Sequence, residues 1–330
     1  LARRLAAGRG ARVVVLGDMI ADEYIYGNTS RVSREAPVLI LTFDRNQVLP
    51  GGAGNAAHNL RSLGAEVRPV GVVGRDAMGR ALLEFFETMR ISRDGVVVVP
   101  GRPTITKTRI MAGDFHTARQ QVIRVDRETA GPLPASARAR LVAALRRAVA
   151  KADGFLISDY GYGAADPALA APALAAARRR GAPSVADSRY RLLQFRGVSV
   201  ATPNESEISI EAGRAQGPPL RTDLLRVGRR LLARLAARGV LITRGRDGMV
   251  GVERGGAAWR LPIVGSAEAV DVTGAGDTVA AAVTLALAAG GSLLEAAGLA
   301  TYAASLKVQK RGTAAVTAAE VTALLEAGRG

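Results

Sequence analysis

The chain contains no cysteine. Disulfide scaffolds, thiolate metal sites, cysteine nucleophiles and iron–sulfur clusters are therefore excluded. Histidine is almost as scarce, with only His58 and His116, too few for a histidine-rich metal site. No Gly-x-Ser-x-Gly elbow occurs, so the commonest serine-hydrolase signature is missing. No run of about 18 apolar residues exists, which argues against a membrane span. The basic N-terminus, LARRLAAGRGAR, lacks the apolar stretch of a secretion signal. The expectation is a cytoplasmic protein with no membrane partner. The chain begins at Leu1 rather than Met, so an incomplete native N-terminus stays open. Aromatic residues make up only 4%, which leaves few platforms for stacking nucleic-acid bases. Lysine is rare too: Lys107, Lys151, Lys307 and Lys310 are the only four among 45 basic residues.

What remains is a 330-residue chain, 48% hydrophobic and 22% charged. That length allows two domains or one large α/β domain with an insertion. The net charge is +16. Such a field attracts anions: phosphorylated metabolites, nucleotides or nucleic acid. Arginines spread over solvated faces account for the same charge. No motif points to nucleic acid, and none is expected as a partner.

Short apolar segments alternate with amphipathic ones through most of the chain. Residues 12–16, 66–73, 96–99, 155–158, 184–186, 198–201 and 240–242 read as buried strands. Residues 53–63, 136–152, 167–180 and 222–238 read as helices, as do a segment capped by Asp76 and one opened by Thr317 and Glu320. This alternation predicts a doubly wound α/β fold, a mostly parallel sheet covered by helices. Residues 38–48 and 104–126 differ, because their β-branched residues alternate with polar ones. They suit half-exposed antiparallel strands. The expectation is a single domain over 1–330, with a small β-sheet lid inserted from those two stretches.

In open α/β sheets, ligands bind beyond the carboxyl ends of the strands. Asp18, Asp159, Asp187, Asn204 and Thr243 occupy those ends here, each polar after an apolar run.

The strongest local signal is Asp271-Val272-Thr273-Gly274-Ala275-Gly276-Asp277, followed by an uncharged, apolar, helical stretch. Gly274, Ala275 and Gly276 thus open a buried helix, where small residues expose backbone N–H groups to an anion. A phosphoryl group in transfer carries negative charge that such a site stabilises. Asp277 falls in the first turn and can accept the proton of an attacking hydroxyl. Taken alone, the same residues also describe a helix-capping loop. Gly51 and Gly52 precede a helix and permit close backbone approach, and Asn55 can bond hydroxyls. Asn204-Glu205-Ser206-Glu207 offers the oxygen ligands that hydrated Mg²⁺ prefers. Thr243-Arg244-Gly245-Arg246-Asp247-Gly248 is a glycine-bearing turn suited to nucleotide contacts.

These four signals, in this order, resemble the ribokinase-like (PfkB) carbohydrate kinases. Residues 51–79 look like the first signature of that family and 271–285 like the second. The resemblance implies an ATP-dependent sugar kinase with a small β-sheet lid. It implies Asp277 as catalytic base, with Gly274, Ala275 and Gly276 as anion hole. Asp18, Gly51, Gly52, Asn55 and Asp159 would lie on the sugar side. Asn204 and Glu207 would act through Mg²⁺, and Asn204, Thr243, Gly245 and Gly248 would border ATP. Asp271 and Thr273 match part of a potassium site found in many members.

Within the family, residues 29–37, 103–107 and 120–126 resemble D-glycero-D-manno-heptose 7-phosphate kinases, which act on the anomeric hydroxyl. Lys107, Arg109 and Arg124 are cations on the expected lid, suited to a sugar phosphate. Two departures stand in expected active-site loops: Tyr162 where that branch has lysine, and Asp187-Ser188-Arg189 where it has Asp-Pro-Lys. No nucleotidyltransferase segment follows, so a bifunctional enzyme is not expected from this sequence. A homodimer through the lid is expected. A different acceptor sugar, sugar phosphate or nucleoside is the nearest alternative. A non-catalytic sugar or nucleotide sensor is the alternative from another class.

Overall fold

The computed structural model describes residues 1–113, 119–129, 131–211, 224–266 and 268–328. His116, part of the second lid stretch and the start of the helix expected from Thr222 lie outside the described residues. In chain order the elements begin with α1 (Ala2–Ala7), β1 (Arg12–Gly17), β2 (Met19–Val32), β3 (Leu39–Gly52), α2 (Ala53–Ser62), β4 (Glu66–Gly74), α3 (Ala77–Thr88) and β5 (Val96–Val99). Next come β6 (Ile105–Gly113), β7 (Gln120–Arg127), α4 (Ala135–Val149), β8 (Gly154–Asp159), α5 (Pro167–Arg179), β9 (Ser184–Ser188), β10 (Val200–Ala201) and α6 (Glu205–Glu211). The rest is α7 (Leu224–Leu235), β11 (Gly239–Thr243), β12 (Met249–Glu253), β13 (Ala258–Leu261), α8 (Ala275–Ala288), α9 (Leu293–Lys307) and α10 (Ala318–Ala327). Among the described residues no helix is long and apolar enough to cross a membrane.

The main sheet has nine strands in the order β13-β12-β11-β10-β9-β8-β1-β4-β5. Strands β11 to β5 in that order run parallel, as expected, while β12 and β13 add an antiparallel edge. The apolar run of β1 has a simple cause. Val13 and Val15 enter the core built with α2, α8 and α9. Val14 and Leu16 enter the opposite core, built with α4 and α5. Both faces are dry, so both need apolar side chains. Strand order reverses at β1, between β4 and β8. The crevice beyond those two carboxyl ends is where such sheets take ligands.

Capping chemistry sets the helix starts. Asp76 accepts from the Gly79 amide at 2.8 Å and opens α3. Thr317 and Glu320 form a reciprocal capping box on α10, and Ser292 and Glu295 form one on α9.

The lid is a second sheet of four strands, β3-β2-β6-β7. It corrects the expectation in two ways. Residues 19–32 form a long strand that hydrophobic alternation does not reveal. That strand pairs with β6 in parallel, so the lid is mixed rather than antiparallel. The reason is an inward face made of charges. Asp22 is buried there and forms an ion pair with Arg109, while Lys107 pairs with Asp126. The apolar side chains point outward instead: Phe43, Ile123 and Val125 are 66%, 52% and 53% exposed.

Candidate active site

Helix α8 opens at Gly274, whose φ of 77° is left-handed. The helix is buried continuously from Asp277 to Ala286, which its uncharged sequence requires. The Ala275 amide folds back onto the Val272 carbonyl at 3.1 Å. It is therefore engaged in the turn. Among the described residues, the next two amides, of Gly276 and Asp277, have no acceptor. A Cβ on Gly276 would meet nothing within 4 Å, and Gly276 lines an open cleft. Free N–H groups at the positive end of a buried helix make a seat for an anion.

Asp277 stands beside that seat and is 3% exposed. Its carboxylate accepts from Asn55 Nδ2 at 2.7 Å and from the Tyr160 hydroxyl at 3.0 Å. Asn59 Nδ2 donates to Asn55 Oδ1 at 3.0 Å, which fixes the Asn55 amide with its NH₂ toward Asp277. The Thr278 hydroxyl donates to Asn59 Oδ1 at 3.1 Å and closes the chain of bonds. The packing of α2 against α8 brings these groups together. Burial pushes the Asp277 carboxyl up to about 7, against the pull of its two hydrogen bonds. At neutral pH it is poised to take a proton. Asn55, expected on the sugar, is thus committed in part to the base. Tyr160 was not anticipated as a site residue. Its signal is its place directly after the β8 strand end.

Asp18 and Asp159 also act on the protein itself. Asp18 accepts backbone N–H groups from Tyr160 at 2.9 Å, Tyr162 at 3.1 Å and Ala164 at 2.9 Å. Asp159 accepts from the Ser188 hydroxyl at 2.7 Å, from the Gly161 amide at 3.1 Å and from Arg191. The Asp159 side chain has no exposed surface. Both carboxylates, expected on the sugar, also hold the chain: Asp18 fixes the loop that lays Tyr160 on Asp277, and Asp159 ties that loop to Ser188 and Arg191.

The first glycine pair has a similar explanation. A Cβ on Gly51 would lie 2.4 Å from Asp22 Oδ2, and one on Gly52 would lie 2.7 Å from the Asp18 carbonyl. The space that glycine leaves is filled by the chain's own oxygens. Lys107 and Arg109 are each neutralised by a carboxylate, and Lys107 also lies over the Tyr162 ring at 5.9 Å. Arg124 bonds both oxygens of Asp126.

A cleft of about 370 Å³ runs from the end of β11 to the start of α8. Thr243, Gly245, Gly248, Val272, Gly276 and Val279 are among its lining residues. The expected nucleotide turn and the anion seat thus share one cavity. Gly248 needs to be glycine, with φ of 81° and a Cβ position only 2.1 Å from the Leu261 carbonyl. Asn204 and Glu207 bond each other reciprocally, N–H to side chain, at 2.9 and 2.8 Å. This pair caps the start of α6, and Asn204 also forms a parallel bridge with Thr243. Burial pushes the Asp187 and Glu207 carboxyls up, and the Asp187 charge adds to the rise at Glu207. Among the described residues no three carboxylates or histidines converge as a metal cage. Asp271 accepts the Thr273 amide on one oxygen and the Gly312 amide on the other, each at 2.8 Å.

Comparison with known proteins agrees with this geometry. The pfkB family carbohydrate kinase model matches residues 11–319. Bifunctional protein HldE of Geobacter metallireducens is 41% identical, over 96% of this chain and 63% of that protein. Bifunctional protein HldE of Azorhizobium caulinodans is 40% identical, over 98% of this chain and 66% of that protein. This chain therefore spans less than two thirds of the length of those relatives. In fold it is similar to Arabidopsis thaliana ribokinase complexed with ribose and ATP, with a TM-score of 0.71 and 21% identity over 96% of this chain and 99% of that one. Escherichia coli phosphofructokinase-2 gives a TM-score of 0.75 at 17% identity, over 97% and 100%. The chain belongs to the pfkB family of carbohydrate kinases, phosphotransferases that act on a sugar hydroxyl.

Proposed function

We propose that the chain transfers the γ-phosphoryl of ATP to the anomeric hydroxyl of D-glycero-D-manno-heptose 7-phosphate. The observation that carries the kinase chemistry is Asp277, held between Asn55 and Tyr160 beside the free amides of Gly276 and Asp277. The acceptor hydroxyl attacks the γ-phosphoryl in line, and Asp277 Oδ takes its proton. The amides at the start of α8 hold the charge that spreads over the phosphoryl oxygens. The cleft between Thr243 and Val279 takes the nucleotide. Mg²⁺, when bound, would supply charge neutralisation on the phosphates, and the oxygens of Asn204, Glu207 and Asp187 are of the type that would hold its hydrated form.

The heptose acceptor rests on residues 29–37, 103–107 and 120–126 and on relatives about 40% identical. Tyr162 departs from that branch, yet it has a defined place: its hydroxyl donates to Glu128 and its amide to Asp18. The test is ADP release from ATP and Mg²⁺ over a panel of heptose 7-phosphate, fructose phosphates, ribose and nucleosides. Turnover confined to the heptose phosphate is expected. Turnover with another acceptor reassigns the substrate, and ATP binding without any turnover would favour the sensor.

A homodimer through the lid belongs to the same proposal. Phe43 opposes Gly27, and Ile123 opposes Ile110, so apolar side chains share the outer face across the sheet. An exposed apolar face of this kind marks an interaction site. Light scattering should give twice the chain mass, and Phe43→Asp should shift it to the monomer. A monomer in the unaltered protein at every concentration would end the proposal.

A further inference from the structure

Tyr160 is the first residue beyond β8. Two buried carboxylates fix the turn in which it stands. Asp18 Oδ2 accepts the amides of both Tyr160 and Tyr162, at 2.9 and 3.1 Å. Asp159 accepts the Gly161 amide at 3.1 Å and is itself held by Ser188 and Arg191. Gly161 has φ of 87°, which lets the chain double back so that two amides reach one oxygen. Burying carboxylates is costly. What this turn places on the base is one hydroxyl: Tyr160 Oη donates to Asp277 Oδ1 at 3.0 Å.

The base thus has one donor on each oxygen. Asn55 Nδ2, from α2, serves Oδ2 at 2.7 Å. Tyr160, from the strand-end loop, serves Oδ1. A phenol that donates to a carboxylate stabilises the ionised form over the acid. Desolvation and the Asp277 charge push the Tyr160 hydroxyl well above its ordinary value of 10, so it keeps its proton and stays the donor. Other charges act on the pair. Asp187 of β9 and Asp22 of β2 disfavour ionisation of Asp277, and Lys307 at the end of α9 carries the opposite charge. Asp187 and Glu207 of α6 act on Tyr160. All of these stand in the protein with or without the Tyr160 hydroxyl.

We infer that Tyr160 is a positioning residue for the proposed phosphoryl transfer, whose hydroxyl sets the pH at which Asp277 works as a base. Without that hydroxyl, Asp277 keeps its proton to a higher pH, and fewer molecules are competent at neutrality. Tyr160 acts through Asp277, so its effect must fade once the pH is high enough to ionise the base in any case.

The inference rests on the kinase reading only for its rate arm. Tyr160→Phe keeps the ring and removes the one hydroxyl. The bonds that hold the loop run from its amides, so the fold survives the exchange. A hydrogen bond to a charged group moves a carboxyl by about one pH unit. The rising limb of kcat against pH should move up by that much. The loss in ADP release should be roughly ten-fold at pH 6 and shrink to a few-fold at pH 9. A loss equal at every pH marks a merely structural role and overturns the inference, as does an unchanged profile.

The second arm needs no substrate. Stability falls as pH rises from the unfolded value of the Asp277 carboxyl to its folded one, and in Tyr160→Phe that fall runs on to a higher pH. The melting temperature of Tyr160→Phe should therefore drop further below that of the unaltered protein between pH 6 and pH 9. In the Asp277→Asn background the same exchange should give a gap that does not change with pH. A constant gap with Asp277 present, or a gap that widens equally without it, overturns the inference. If no acceptor gives ADP release, the kinase reading fails and the melting comparison alone decides.

Discussion

Asp277→Asn should lower kcat by roughly 10²-fold or more, measured as ADP release with saturating ATP and acceptor. The amide is close in shape to the carboxylate and can keep both partners, accepting from Asn55 and meeting the Tyr160 hydroxyl. It cannot take a proton from the attacking hydroxyl. The loss should therefore fall on kcat, with little change in the KM for ATP. Turnover near that of the unaltered enzyme would remove Asp277 from the role of base.

The same variant should be more stable than the unaltered protein above neutral pH. The Asp277 carboxyl sits at about 7 in the folded chain against 3.8 for an ordinary aspartate. A folded pKa raised in this way means that the folded state resists ionisation. Below the unfolded value both states are neutral and no cost exists. Between the two values the unfolded chain ionises first, and stability falls as pH rises. Above the folded value the full cost remains, on the order of a few kcal/mol. Asn is neutral throughout and escapes it. Melting curves at pH 8 should therefore favour Asp277→Asn, with the gap closing as pH falls toward 4. The rate of the unaltered enzyme should rise with pH and level off above about 7, since only the ionised base works. A variant that is less stable at pH 8 would show that burial of Asp277 is not the cause of its shift.

The parallel core was legible because physics writes it plainly. Strands such as β1 are dry on both faces and so must be apolar throughout. Helix α8 was legible for the same reason, with Gly274 and Asp277 at its start. Strand β2 was not, because its inward residues include Asp22, whose burial depends on Arg109 from a strand 87 residues away. Periodicity cannot see an ion pair that closes only in three dimensions. The intramolecular partners of Asp18, Asp159 and Asn55 were hidden for a related reason. Residue type and strand-end position showed that they lie near the site. They could not show that the carboxylates spend their oxygens on the loop at Tyr160–Ala164 and that Asn55 holds the base.

That supporting layer makes Gly274→Ala the second severe change. Gly274 has φ of 77°, a conformation that costs alanine about 1–2 kcal/mol. The added Cβ would lie 2.5 Å from Asn55 Nδ2, far inside contact distance. Asn55 cannot swing aside freely, because Asn59 holds its oxygen at 3.0 Å. The amide must leave Asp277 or the start of α8 must move, and either shift displaces the base. A displacement near 1 Å at reacting groups costs about 10²-fold in rate. Gly274→Ala should therefore lose about that much in kcat and also melt at a lower temperature. Gly276→Ala is the contrast, since its Cβ enters open space and its φ is not left-handed. It should melt no lower than the unaltered protein, because alanine favours a helix over glycine by about 1 kcal/mol. If Gly274→Ala keeps full turnover, Asn55 does not position Asp277, and the buried amide chain from Thr278 to Asp277 serves stability alone.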